Sequence, residues 1–432
     1  MSLQSSLSSG VSGLNAFGEG LSVVGNNIAN MNTVGFKDGN ASFADVMSAS
    51  LAEGTSSSQV GRGVYIDAVT TDFGQGSFET TSSPLNLAVD GNGLFLVTDQ
   101  AGALNYTRNG TFQLNKNGLL VNENGLFVQG YQANAAGVLN GQLGNLNLGT
   151  SASAPLATAN VTLAANLDSS GAVTGPFVLA NAAQTSNFST GLTVYDSLGN
   201  SHQINVYFTK TAPNTWSWNG VVSAADSVNA VSEVQARGTL TFNSNGALTA
   251  QSATTYISGG APATGFNFSG GATANQAVAF NFGTPPHAGT GLNGVTQFAG
   301  TSTVLNLTQD GYASGSLQSV SVGKDGTISG NFTNGQNRTL GQVALANFND
   351  PEGLTNLGNN LFGVTADSGQ PIVGAPTSSG LGSILSSSLE TSNVDLATEF
   401  TKMIEYQRGY DANSKMITTT DDMLQTLVNM KR

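Results

Sequence analysis

Three of the aspartates set before glycines are the first residues of this chain to weigh for chemistry. Asp90, Asp310 and Asp325 each precede a glycine, and two carboxylates sharing a cleft would work as general acid and base. The same dipeptide is also the ordinary signal of a tight turn, because glycine supplies positive φ and aspartate bonds its own backbone. The turn is the stronger reading. Imidazole chemistry has only His202 and His287 to draw on, and with no cysteine there are no thiolate nucleophiles, thiolate metal sites or disulfides. His202 sits in a predicted hairpin beside Ser201, with no partner that the sequence names, and is expected at the surface. Trp216 and Trp218 alternate on one predicted strand and could stack a sugar ring, although aromatic strand residues more often pack. GTGLNG, from Gly289 to Gly294, matches a dinucleotide fingerprint, but it follows Pro285-Pro286 instead of a strand and opens no helical pattern. GxSxG, HExxH, Walker A and EF-hand patterns do not occur. The expectation is therefore a protein that is not an enzyme, with no catalytic residues, no metal and no cofactor.

Charge narrows the partners. The net charge of −13 argues against nucleic acid and anionic membranes. Only 9% of residues are charged, which suits a turn-rich β surface of Gly, Ser, Thr and Asn. No apolar stretch approaches the length of a membrane span, so no membrane insertion is expected. Before Lys37 there is no basic side chain, so a cleavable secretory signal is not expected either.

If the chain does no chemistry, its ends carry the strongest pattern. Leu7, Leu14, Leu21 and Ile28 recur every seven residues, and Leu3, Phe17 and Val24 fill the intermediate row, with Gly10 as a gap. At the other end Leu389, Leu396, Met403, Tyr410, Ile417 and Leu424 step by seven, with Phe400 and Val428 at d-like positions. Such repeats predict two helices pairing in a left-handed coiled coil. Ser392 to Asp395 reads as a capping box that opens the second helix, which would run about 55 Å from residue 393 to 430. The first helix is rich in Ser and Gly and has low intrinsic propensity, so both ends are expected to order on assembly. The asparagine-rich GNNIANMNTVGFK ends the first ladder. Asn30, Asn32 and Gly35 would supply the turn and Phe36 an apolar anchor, giving a hinge or junction.

The middle reads as β structure. Thr111 to Tyr131 holds three apolar runs separated by NKNG and NENG, the pattern of a meander. Leu192 to Phe208 alternates around Gly199-Asn200 as a hairpin. From Ser151 to about Gln297 the composition shifts to Ala, Ser, Thr and Gly, marking a second β domain inserted in the first. The expected fold class is a mainly β multidomain protein, one β domain inserted in the other, with terminal α-helices that form a coiled coil in an assembled polymer. The expected organisation is helix 1–30, linker 31–75, core β domain 76–148 and 298–385, inserted outer β domain 149–297, and helix 386–432.

These segments resemble a known family. SGVSGLNAFGEGLSVVGNNIANMNTVGFK and LETSNVDLATEFTKMIEYQRGYDANSKMITTTDDMLQTLVNM are similar to the terminal signatures of bacterial flagellar rod and hook axial proteins. YTRNGTFQLNKNGLLVNENGLFVQGY and LAVDGNGLFLV resemble their shared core β domain. TGLTVYDSLGNSHQINVYFTKTAPNTWSW, LTQDGYASGSLQSVSVGKDGTISGNFTNGQ and LGQVALANFNDPEGLTNLGNNLF look like the hook branch. The resemblance implies a subunit of a helical homopolymer, a curved hollow tube outside the cell that passes motor torque from rod to filament as a universal joint. It implies export by the flagellar type III apparatus, growth beneath a hook cap protein, and contact with a distal rod protein and a hook–filament junction protein. The seam residues, Leu3 to Ile28 and Leu389 to Val428, would make the inner tube's contacts within and between subunits.

Overall fold

The structure is a computed structural model of the chain, and it describes residues 3–47, 49–53, 56–134, 136–149, 152–285 and 289–430. His287 lies outside them. Two compact units emerge. The terminal unit holds Met1–Ser151, Gln318–Asn331 and Asn337–Arg432, and the inserted unit holds Ala152–Leu317 and Phe332–Gln336.

Alternation builds the inserted unit. Along Ser201–Ala212, His202, Ile204, Val206 and Phe208 are buried while Ser201 and Gln203 are exposed, as a period of two requires of a strand with one face inward. This strand pairs with Phe188–Tyr195 on one side and Thr215–Val222 on the other, and Glu233–Phe242 continues the antiparallel sheet. A second sheet centres on Asn160–Asp168. Val161, Leu163, Ala165 and Leu167 from that strand pack with Phe208, Trp216, Trp218, Phe280 and Phe282 in one core. Both tryptophans have no exposed surface. They are packing groups and cannot stack a sugar.

The insert ends later than residue 297. Thr296–Phe298 pairs in parallel with Asn160–Asp168, and Thr303–Gln309 pairs with it in antiparallel fashion. Strands that complete a sheet must stay with it, so residues 298–317 belong to the inserted unit and not to the core.

In the terminal unit the meander forms strands Phe112–Leu114, Leu120–Asn122 and Phe127–Ala133. Gly118 and Gly125 turn them at φ 76° and 78°, conformations that glycine adopts without strain. After the insert the chain returns through Gln318–Asn331, and Asn337–Val343 pairs with Phe127–Ala133. The core beneath includes Leu94, Leu96, Tyr106, Ala346, Phe348 and Phe362.

The segment expected as a linker carries structure of its own. Gly39–Asp45 pairs with Val64–Thr71, and Phe43 of this ribbon meets Phe17 and Tyr406 at ring-centroid distances of 5.7 and 5.5 Å.

Candidate assembly surface and its buried joint

The N-terminal helix spans Leu3–Ala29 and the C-terminal helix Leu396–Met430. They run antiparallel. Gly10 lies against Ile417, Gly13 against Asn413, Gly20 against Tyr406, and Gly409 against Phe17. A Cβ on Gly13 would stand 2.8 Å from the Asn413 amide, and one on Gly409 would stand 2.7 Å from the Phe17 ring. Each glycine inside a helix costs about 1 kcal/mol relative to alanine. The return is room for a side chain of the facing helix to lie directly on the glycine, as Asn413 does on Gly13 and the Phe17 ring on Gly409.

This contact line differs from the expected seam. On the N-terminal helix the inward rows are Gly10, Phe17 and Val24 with Gly13, Gly20 and Asn27; Leu7, Leu14, Leu21 and Ile28 flank them, half-buried. Leu3 opens the helix, but its side chain lies outside the described residues. On the C-terminal helix Leu396, Met403, Ile417 and Leu424 are half-buried, and the second row is Glu399, Tyr406, Asn413 and Thr420. That row falls three residues after the first, where polar side chains hid it. Phe400 and Val428 sit one position further round and are 47% and 65% exposed; Tyr410 is 37% exposed. Leu389 is not helical at all. It belongs to strand Ser388–Glu390, paired with Phe78–Thr80.

That strand ends on Glu390. Its side chain is fully buried, with Oε1 2.7 Å from Lys37 Nζ and Oε2 3.1 Å from Arg108 Nη1. The Gly76 amide also donates to Oε1, at 2.9 Å. Lys37 donates to the Gly74 carbonyl, and Arg108 to the carbonyls of Val89 and Gly91. Burial pushes Lys37 below its ordinary value, and Glu390 pulls it back. Arg108 is lowered in the same way. The helix can begin only beyond this strand, and it is Asp395 that caps it, accepting from the Thr398 amide at 2.9 Å. Ser392 instead accepts from the Val394 amide, so the expected capping box is displaced.

A second polar node sits beside the first. Asn27, with no exposed surface, exchanges hydrogen bonds with the backbone of Gly39 and donates to Glu399 at 3.1 Å. Lys402 donates to both Glu399 and Asn40. Asn393 accepts from the Asp38 amide and donates to the Asp38 carboxylate. Burial, then the neighbouring Asp72, push Asp38 upward.

The GNNIANMNTVGFK turn is thus pinned. Asn30 stays bonded to Asn26, and Thr33 donates to Asn30; Asn32 is exposed. Gly35 has φ 67° and donates to the Glu390 carbonyl at 2.8 Å. A Cβ there would stand 2.6 Å from the Asn109 nitrogen. Phe36 is 8% exposed. The turn thus follows the first helix directly and is bonded to the strand that carries Glu390.

The other candidates resolve into structure. Asp310 accepts from the Ala159 and Asn160 amides, and Asp325 from Thr327. His202, expected at the surface, is 5% exposed. It lies between Asp196 and Asp226 at 3.0 and 3.1 Å and stacks on Phe268. Among the described residues, no group of three or more His, Cys, Asp and Glu side chains is arranged to hold a metal ion.

Family models cover most of the chain. "Flagella basal body rod protein" matches residues 7–37, and "Flagellar hook protein FlgE/F/G D1 domain" matches 88–174. "Flagellar basal body protein FlaE D2 domain" matches 166–312, and "Flagellar basal body rod FlgEFG protein C-terminal" matches 385–430. The flagellar hook protein FlgE of Escherichia coli K12 is 37% identical over 434 residues, 98% of this chain and 99% of its own. That of Salmonella typhimurium is 36% identical over 99% of this chain and 100% of its own. The Borreliella burgdorferi protein is 35% identical over 99% of each. With end-to-end relatives at this identity, and both terminal signatures lying on the paired helices and their joint, the chain belongs to the flagellar hook protein family.

Proposed function

We infer that this chain is a structural subunit of the bacterial flagellar hook, assembling with copies of itself into a hollow curved tube that passes torque from rod to filament. One observation supports assembly above the others. The two helices pair through a glycine-lined face, yet Phe400, Ile404, Met423, Leu427 and Val428 remain 47–65% exposed on the C-terminal helix. Apolar rows left open on a paired helix are surfaces for further helices. In this reading Leu3 to Ile28 and Leu396 to Val428 build the inner tube, within and between subunits. The β units lie outside it, and the inserted one is outermost.

The same reading supplies the partners: a distal rod protein below, a hook–filament junction protein above, a hook cap protein during growth, and the type III export apparatus before it. The site is the extracellular hook. Electron microscopy of flagella from a strain lacking this chain tests it. Rods without hooks, restored by the chain supplied in trans, are expected; normal hooks in the deletion strain overturn it.

A further inference from the structure

The inserted unit has two distinct ends. At one, the chain enters and leaves, where Ser153 bridges Gly315 and Leu156 bridges Tyr312. Strand Ser201–Ala212 starts near that end, since the Thr158 amide donates to the Tyr195 carbonyl and Tyr195 pairs with Ser201. About 30 Å further along, at 3.4 Å per residue, the strand reaches Lys210 at the opposite tip.

Lys210 is 8% exposed. Its ammonium donates to the carbonyls of Ser169 and Gly171 at 2.5 and 3.1 Å. An ammonium has three donors, so one is left over. Among the described residues no carboxylate lies within ion-pairing distance of it. Asp168 acts on it only from further off, and the Asp168 carboxylate is already bonded to Ser170. A largely buried cation without an adjacent anion is an unfavourable arrangement that a partner's carboxylate would relieve.

The space beside it is built to admit one. Lys210 lines a cleft of about 430 Å³ together with Asn214, Asn245, Gln297 and Phe298. Gln297 is fixed there, accepting from the Trp216 indole at 2.7 Å and donating to Asn214 at 2.9 Å. Phe298, at the rim, is 46% exposed. The cleft thus offers one unused cationic donor, a preset amide array and an exposed ring.

We propose that this tip cleft is an intersubunit contact site, in which Lys210 receives an aspartate or glutamate side chain from a neighbouring copy of the chain. Charge complementarity picks the occupant. Each copy carries 26 acidic against 13 basic side chains, so carboxylates are in surplus on every neighbour and buried cations are scarce. The contact rests on the hook-subunit reading. It adds to it a directional, charge-assisted link between the outer units, alongside the apolar contacts of the helices.

Cryo-electron microscopy of the polymer at side-chain resolution tests it directly. The expected result is a carboxylate of a second copy within about 4 Å of Lys210 Nζ. The wild type and Lys210→Met are then compared for the subunit concentration needed for polymer growth. An increase of about tenfold is expected for the variant, with unchanged tryptophan fluorescence showing that the unit is still folded. A polymer in which Lys210 faces water or closes on its own Asp168 overturns the contact and leaves the subunit reading standing. Failure of the wild-type chain to form any polymer overturns both.

Discussion

Glu390 holds the Lys37 ammonium at 2.7 Å across 353 residues of sequence, and neither side chain has any exposed surface. The pair ties the end of the first helix's turn to the strand that leads into the last helix. Arg108 of the core takes the other carboxylate oxygen, so one side chain fixes both ends of the chain to the β body.

Removing that carboxylate leaves two buried cations unpaired. Glu390→Gln is expected to lose about 3–5 kcal/mol of stability in the terminal unit, measured by urea unfolding followed by circular dichroism. Lys37→Met is expected to lose less, because Arg108 still faces Glu390. A loss below about 1 kcal/mol for Glu390→Gln, within the range of an exposed pair, would show that the joint is held by something else.

Helix propensity and packing make opposite predictions at Gly409. In an isolated helix, replacing glycine with alanine gains about 1 kcal/mol. Here a Cβ would meet the Phe17 ring at 2.7 Å. Gly409→Ala is therefore expected to raise the helicity of a peptide spanning 396–430 while lowering the thermal stability of the whole chain. Stabilisation of both would refute close glycine packing as the reason for the residue.

Assembly variants separate the two faces of the C-terminal helix. Phe400→Asp and Val428→Asp alter side chains that are 47% and 65% exposed, so monomer stability should move by no more than about 0.5 kcal/mol. Both are expected to abolish hooks seen by electron microscopy. Leu14→Asp and Met403→Asp, at half-buried positions, should also block assembly while the β body stays folded. Normal hooks from Phe400→Asp would remove that residue from the interface.

Acid should act on the inserted unit. Burial tends to raise the carboxyls of Asp196, Asp226, Glu233 and Asp310, but hydrogen bonds outweigh it, and all four lie below their ordinary values of 3.8 or 4.5. The hydrogen-bond partners include His202 for Asp196 and Asp226, Ser227 for Glu233, and Asn160 for Asp310. With folded values depressed, the unfolded chain binds more protons as the pH falls past the ordinary values. Their contribution is present above those values and is lost below them. Both tryptophans of the chain are in this unit. A red shift of their emission on acidification from pH 5 to pH 2 is expected, reversing on neutralisation, and an unchanged spectrum would contradict it.

Much of this architecture is written in periodicity. The seven-residue ladders marked both terminal helices, the Asn-Gly pairs marked the meander, and the shift to Ala, Ser and Thr marked where the insert begins. Its end was hidden. Thr296–Phe298 and Thr303–Gln309 are short strands whose allegiance depends on Asn160–Asp168, about 140 residues earlier, and local pattern holds no such information. The helix contact line was hidden for a different reason: reading the seam by hydrophobicity selects leucines, whereas the closest approach uses glycines and buried polar groups.

By itself the sequence determined the class of the protein, because hydrophobic spacing and turn chemistry act between near neighbours. It also ruled out thiolate chemistry, since the chain holds no cysteine. Only the tertiary structure decided which faces meet. Gly13 lies against Asn413, and Lys37 and Arg108 enclose Glu390, contacts between segments that no local pattern links. The asparagine-rich turn read as a hinge because Asn and Gly permit bending. Hydrogen bonds from distant segments tie it to the β body, and a left-handed Gly35 packed against Asn109 leaves no space for a side chain.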